Sequence, residues 1–193
     1  HLQVEPSSVC SLHCALCQVA GGLKRPTGLM RFELFEKFID EIGDYVFLIL
    51  LCDCGEPILN PRIYDMIACA RKHGIKVVSS TNGHVFARRN HARKLIRSGL
   101  DSLILATDGI SQKTYQQYRK GGELDTLVAG IRNIVAEKRA VDATLPYLNL
   151  RFIVTRDNEH EVPLLQEFAA SLGVDAFTLK TLNPHDEFTT PDE

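Results

Sequence analysis

No charge of one sign dominates this chain: 22 lysines and arginines stand against 24 aspartates and glutamates, a net −2 at pH 7. That removes any global electrostatic case for nucleic acid or for an anionic membrane surface. No apolar run reaches the roughly 18 residues that a membrane span needs; the longest, Tyr45 to Cys52, is far shorter. No signal peptide is recognisable, although the chain begins at His1 rather than methionine, so removal of the natural N-terminus is expected. Core-forming residues are not scarce. Hydrophobic residues make up 45% and charged residues 24%, which excludes disorder and fibrous repeats. A domain of this size buries roughly 70% of its unfolded surface. The six cysteines are therefore not needed as a disulfide framework. Three of them fall within eight positions, Cys10 to Cys17, which points to metal in a reducing compartment and a cytoplasmic location.

Helical periodicity marks four segments. Phe35, Phe38, Ile39 and Ile42 recur at i, i+3, i+4, i+7, as do Ile63, Met66, Ile67 and Ala70. The same spacing returns at Leu124, Leu127, Val128, Ile131 and at Leu165, Phe168, Ala169, Leu172. Asn60-Pro61 reads as an N-cap with proline at the first helical position. A weaker helix is expected over Phe86–Ser98 and a short one near Ser111. Between them lie short apolar or β-branched runs at 2–4, 45–51, 76–80, 102–106, 148–154 and 176–180, which suit strands buried on both faces. The junctions His73-Gly74-Ile75, Ser98-Gly99-Leu100 and Leu172-Gly173-Val174 each place a C-cap glycine just ahead of a strand. Six strands in 193 residues give about 32 residues per βα unit, too few units for a complete eight-unit barrel. The fold is α/β, either an open doubly wound sheet or a three-quarter barrel, and in both cases ligands gather at the carboxyl ends of the strands.

Polar, glycine-rich and cysteine residues collect at those ends. Cys10, Cys14 and Cys17 follow the first strand with C-x3-C-x2-C spacing; Gly55-Glu56-Pro57 follows the second, Thr81-Asn82-Gly83 the third, and Asp108-Gly109 the fourth. Three soft thiolates favour an iron–sulfur cluster or zinc. Three ligands leave a metal position open to an outside ligand, whereas structural zinc ordinarily wants a fourth Cys or His. His13, adjacent to Cys14, is poorly spaced to supply it.

These motifs, in this order and at these strand ends, resemble the radical S-adenosylmethionine (SAM) enzymes, from about Leu2 to Lys180, with Arg151 to Asn158 matching around the fifth strand. The three-cysteine spacing is the specific element. Tyr115 to Arg119 followed by Gly121-Gly122 is similar to the branch that carries a C-terminal SPASM or twitch domain. The resemblance implies a partial (βα)6 TIM-like barrel with parallel strands. It implies a core over 1–182, then a linker or tail over 183–193 leading to a domain absent from this sequence. It further implies a 4Fe–4S cluster on Cys10, Cys14 and Cys17 whose fourth iron is chelated by SAM, and reductive cleavage of SAM to a 5′-deoxyadenosyl radical that takes hydrogen from a substrate. The implied partners are an electron donor such as flavodoxin or ferredoxin and a substrate that is a peptide, a protein or a small molecule.

Glu56 matches the position that binds the SAM amino group; the plain alternative is an ordinary Gly-Glu-Pro turn. Gly55 belongs to the same motif. Thr81 and Asn82 are expected beside methionine or ribose, or simply in an Asn-Gly turn, and Arg119 resembles the arginine that meets the SAM carboxylate, unless it is solvated beside Lys120. Asp108 is expected near ribose or substrate, or simply in an Asp-Gly turn. Leu16 stands where the family commonly has an aromatic residue near adenine, and Ala106 where related enzymes often have a serine that contacts SAM. Cys52 and Cys54 are candidates for a second cluster or for facing substrate, or are free thiols; Cys69 is expected in the core. The basic run Arg88, Arg89, Arg93, Lys94 and Arg97 reads as a solvated face or as a dock for an acidic electron donor. A function of a different class is a non-catalytic iron–sulfur or zinc module.

Overall fold

The structure, a computed structural model, describes residues 1–181. The tail expected at 183–193 lies outside the described residues. The strands are β1 (Leu2–Gln3), β2 (Leu48–Leu50), β3 (Lys76–Thr81), β4 (Ser102–Ala106), β5 (Tyr147–Val154) and β6 (Ala176–Thr181). They form one parallel sheet in the order β1-β2-β3-β4-β5-β6. A doubly wound sheet reverses its strand order at a switch point; this sheet never does, so the arrangement is the open arc of a TIM-like barrel. The helices are α1 (Gln18–Gly21), α2 (Phe32–Ile42), α3 (Ile63–Lys72), α4 (Arg89–Ser98), α5 (Gln112–Tyr118), α6 (Leu124–Ala140) and α7 (Leu165–Leu172).

Alternation along each strand separates two faces. Val77, Leu103, Leu105, Leu148 and Leu150 are fully buried and share one core with Phe35, Ile39, Met66, Leu95, Leu127 and Ile131 of the helices. The intervening Val78, Ser80, Ile104, Arg151 and Ile153 are only partly buried, because the arc leaves its inner side open. That open side holds the site.

Three boundaries differ from expectation by more than one residue. The start of the apolar run at 45–51 is not strand: Gly43–Tyr45 forms a 3-10 turn, and Tyr45 and Phe47 are 88% and 70% exposed. The helix expected from Phe86 begins at Arg89, because a 3-10 turn over His84–Ala87 ends in extended backbone at Arg88. Asn60 is not the cap of α3, which starts two residues past Pro61. It shapes the approach instead: its Oδ1 accepts from Arg62 N at 2.9 Å, and its amide donates to Pro6 O and Met30 O at 2.7 and 2.9 Å. The junction glycines Gly74, Gly99 and Gly173 all have positive φ, as their C-cap reading requires.

Two glycines bring the loops together. Gly55 has φ +76°, and a Cβ there would lie 2.4 Å from the Ser7 carbonyl oxygen, so the loop after β2 presses directly on the backbone leading to the cysteines. A Cβ at Gly130 on α6 would lie 2.5 Å from Gly83 O; α6 thereby packs against the Thr81–Gly83 loop itself.

Candidate functional site

The three motif cysteines sit on the loop between β1 and α1, and this loop is held by the backbones of two others. Glu56 N donates to Val9 O at 2.8 Å, while His13 N and Ala15 N donate to Lys120 O and Tyr118 O at 2.9 and 2.8 Å. Cys10, Cys14 and Cys17 all border one cavity of about 560 Å³ at the carboxyl ends of the strands. All six cysteines of the chain are free. Nitrogen donors approach two of the sulfurs: Leu12 N lies 3.4 Å and Asn82 Nδ2 3.9 Å from Cys10 Sγ, and Arg119 Nη1 lies 3.6 Å from Cys14 Sγ. Burial pushes the Cys10 and Cys14 thiols up, against Leu12 at the first and Arg119 at the second. Among the described residues, the three sulfurs do not all lie within 4.8 Å of one another, as ligands of a single metal ion would. Three free soft donors around a cavity with room for an outside ligand suit an iron–sulfur cluster, whereas structural zinc ordinarily takes four protein ligands.

Glu56 is 3% exposed and heavily engaged. Its Oε1 accepts from Ile58 N at 3.2 Å and Thr81 Oγ1 at 2.8 Å, and its Oε2 accepts from Asn82 N at 2.7 Å. Burial nevertheless raises its carboxyl pKa, with those three donors opposing. The carboxylate thus ties the end of β2 to the end of β3 and keeps one lone-pair direction of Oε2 for a further donor. It is no surface turn. Thr81 is spoken for twice, since its hydroxyl also accepts from Gly83 N at 3.0 Å. Asn82 reaches toward the cysteine loop, with Nδ2 3.4 Å from Ser11 Oγ and 3.9 Å from Cys10 Sγ.

Arg119 is buried rather than solvated. Its Nε and Nη2 meet Asp108 Oδ2 at 2.6 and 2.5 Å, with side-chain exposures of 14% and 1%. Burial opposes its charge, but Asp108 alongside more than compensates and holds the guanidinium pKa above its ordinary value. The other oxygen of Asp108 accepts from Ile153 N at 2.7 Å. Asp108 is therefore engaged within the protein on both oxygens, with its backbone at φ +61°. Two residues that sequence reasoning missed hold this turn in place. Asn158 Nδ2 donates to Asp108 O at 3.2 Å and to Ile153 O at 2.7 Å, and Glu161 Oε2 accepts from Ile110 N at 2.8 Å.

Also missed was His84. Its Nδ1 faces Asn82 O at 3.0 Å, and Nε2 accepts from Glu123 N at 3.0 Å. A carbonyl partner at Nδ1 and an amide donor at Nε2 fix one neutral tautomer. The ring links the Asn82 loop to the segment after Arg119, and burial lowers its pKa. Leu16 borders the cavity at 39% exposure with φ +58°, and Ala106 lies across the β4–β5 ladder from Arg151. Cys52 and Cys54 border the same cavity; burial raises both thiols, and Cys54 Sγ lies 3.5 Å from Gln18 Oε1. Cys69 is in the core, as expected. Of the basic run, Arg89 and Arg93 are paired with Glu137 at 2.6 and 3.4 Å, so part of its charge is compensated on the spot. Among the described residues, no helix is long and apolar enough to cross a membrane.

Comparison with known proteins gives this geometry a context. The sequence profile described as "Radical SAM superfamily" matches residues 4–169. The chain is 27% identical over 188 residues to the tungsten-containing aldehyde ferredoxin oxidoreductase cofactor-modifying protein of Pyrococcus furiosus, covering 95% of this chain and 52% of that protein. It is 28% identical over 181 residues to the AdoMet-dependent heme synthase of Methanosarcina barkeri, covering 93% and 50%. A probable GTP 3′,8-cyclase of Saccharolobus islandicus is 31% identical over 190 residues, covering 95% and 57%. The chain thus spans about half the length of the curated relatives it matches. Among solved structures, Streptococcus suis SuiB bound to S-adenosylmethionine superposes with a TM-score of 0.77 at 17% identity, over 97% of this chain and 42% of that one. The family's cofactors are a 4Fe–4S cluster and SAM, and three free thiols lining one cavity suit them. From the profile match over most of its length, the chain belongs to the radical SAM superfamily.

Proposed function

We propose that this chain holds a 4Fe–4S cluster on Cys10, Cys14 and Cys17 and cleaves SAM reductively to abstract hydrogen from a substrate bound in the open side of the barrel. The observation that carries this reading is the set of three free thiols around one cavity that also holds the buried Glu56 carboxylate. When bound, the cluster supplies the electron that breaks the C5′–S bond of SAM, giving the 5′-deoxyadenosyl radical that serves as hydrogen acceptor.

The chain's own residues do the holding. Glu56 offers its remaining acceptor direction to the SAM ammonium, with Gly55 setting the loop against the cysteine segment. Arg119 offers the guanidinium edge that faces Cys14 to the SAM carboxylate, and Asp108 acts as the positioning residue that fixes Arg119. Thr81 and Asn82 hold Glu56 and the rim near Cys10, and Leu16 covers the adenine side. Asn82 and Arg119 also donate toward cluster-ligand sulfurs, a contact that raises cluster potential.

This chemistry requires a one-electron donor, and a flavodoxin or ferredoxin is the donor type we propose. A peptide or protein substrate and membership of the SPASM or twitch branch are the finer part of the proposal; the Tyr115–Arg119 segment supports the branch. A non-catalytic metal module is disfavoured, since a structural metal has no use for a 560 Å³ cavity with a buried carboxylate on its wall. The test is anaerobic reconstitution, reduction with dithionite and chromatographic detection of 5′-deoxyadenosine. Product that requires both SAM and the cluster supports the reading; a fully loaded cluster that never cleaves SAM overturns it.

A further inference from the structure

The cavity contains a guanidinium that the cofactor reading does not use. Arg151 extends from β5 into it, and its Nε is buried with no hydrogen-bond partner. Buried polar atoms are nearly always paired, so this Nε lacks an expected acceptor. Lys180 of β6 borders the same cavity. The ladder sets Arg151 opposite Thr178 and Ile153 opposite Lys180, so by strand alternation both cations line the inner face of neighbouring strands.

The other charges of the cavity do not answer them. Arg119 is matched by Asp108, and Glu56 is buried among its own three donors. Asp53 accepts from Gln3 Nε2 at 2.8 Å on the β1 side, at the far edge of the sheet. Among the described residues, neither Arg151 nor Lys180 has an ion pair. The β5–β6 wall is therefore positive and uncompensated, with at least one donor already stripped of water. A planar guanidinium beside an ammonium is suited to an oxyanion, carboxylate or phosphate.

We propose that Arg151 and Lys180 form an oxyanion subsite that receives a carboxylate or phosphate group of the substrate. The proposal deepens the reading of the same cavity and rests on it. It also gives the substrate an orientation, with its acidic group on the β5–β6 wall, across the opening from the cysteine loop and β1.

The test follows modification of Arg151 by phenylglyoxal in the full chain, read by peptide mass spectrometry, with SAM present and in anion-poor buffer. Inorganic phosphate and acetate are the two probes. One or both should slow the modification in a saturable way; protection by phosphate alone identifies a phosphate group, and protection by acetate alone identifies a carboxylate. Lys180→Met, checked for an unchanged melting temperature, should raise the half-protecting concentration by about tenfold through loss of one charge-assisted bond. Three results would overturn the subsite. Neither anion protects Arg151; Lys180→Met leaves the half-protecting concentration unchanged; or SAM alone gives full protection, which makes the SAM carboxylate the occupant. Failure of the underlying reading is seen separately, as absence of 5′-deoxyadenosine from the wild-type chain.

Discussion

Removing the Glu56 carboxylate should damage the protein twice, and the two effects can be separated. In Glu56→Ala, the amides of Ile58 and Asn82 lose their acceptor in a buried position, while the Thr81 hydroxyl can rotate to another partner. Two orphaned buried amides at about 1–3 kcal/mol each give about 2–6 kcal/mol. Relief of the buried charge, evident in the raised carboxyl pKa, offsets part of this. A net loss of about 2–3 kcal/mol follows, or about 5–10 °C in melting temperature for a domain of this size. Glu56→Gln keeps the shape and one acceptor, but its amide must face a backbone donor on one side. Its expected stability loss is about 1–3 kcal/mol. It also removes the negative charge offered to the SAM ammonium, so SAM binding should weaken by about ten- to a hundredfold. Urea denaturation and equilibrium SAM binding measure the two effects. An alanine variant as stable as wild type would refute the buried network, and a glutamine variant with wild-type SAM affinity would refute the cofactor role.

Asp108→Ala leaves the Arg119 guanidinium buried and unpaired and should cost about 3–5 kcal/mol in denaturant titrations; a loss under about 1 kcal/mol would mean that the pair is hydrated. Gly130→Ala drives a methyl group toward Gly83 O, now 2.5 Å from the ideal Cβ position. It should cost about 1–3 kcal/mol by displacing α6 from the Thr81–Gly83 loop, read as a lower melting temperature. His84 has a folded pKa below its unfolded value of about 6.5, so the unfolded chain binds more protons in that window. Its contribution to stability is full above about pH 6.5 and lost as pH falls through the folded pKa. Melting temperature should therefore drop from pH 7.5 to 5.5, and by less in His84→Gln; an equal drop in both would exclude His84 as a source.

The sequence displays the sheet well because periodicity reports burial. β4 and α7 match the expected ranges, and β3, β5 and β6 differ by one residue at an end. It misleads where apolar residues are not buried, as at Tyr45 and Phe47, where a 3-10 turn takes the start of the expected strand. The cysteine spacing and the strand-end motifs mark the site because ligands in this architecture collect there. Their internal wiring is not local. Arg119 finds Asp108 across the whole of α5 and Cys14 across 105 positions, Asn158 closes on Asp108 across 50, and His84 reaches Glu123 across 39. Such pairs are set by strand register and helix packing, and no short window of sequence contains both partners. Asp108 illustrates the consequence: an Asp-Gly pair read as a ligand contact or a turn is the anchor of a buried arginine.

The most direct measurement is an electron paramagnetic resonance titration of the anaerobically reconstituted, reduced chain with SAM, alongside iron and sulfide analysis. The account predicts a 4Fe–4S signal that changes saturably as SAM is added, is lost in Cys10→Ala, Cys14→Ala and Cys17→Ala, and persists in Cys69→Ala. A full cluster in Cys14→Ala, or a wild-type signal that SAM does not alter, would contradict it.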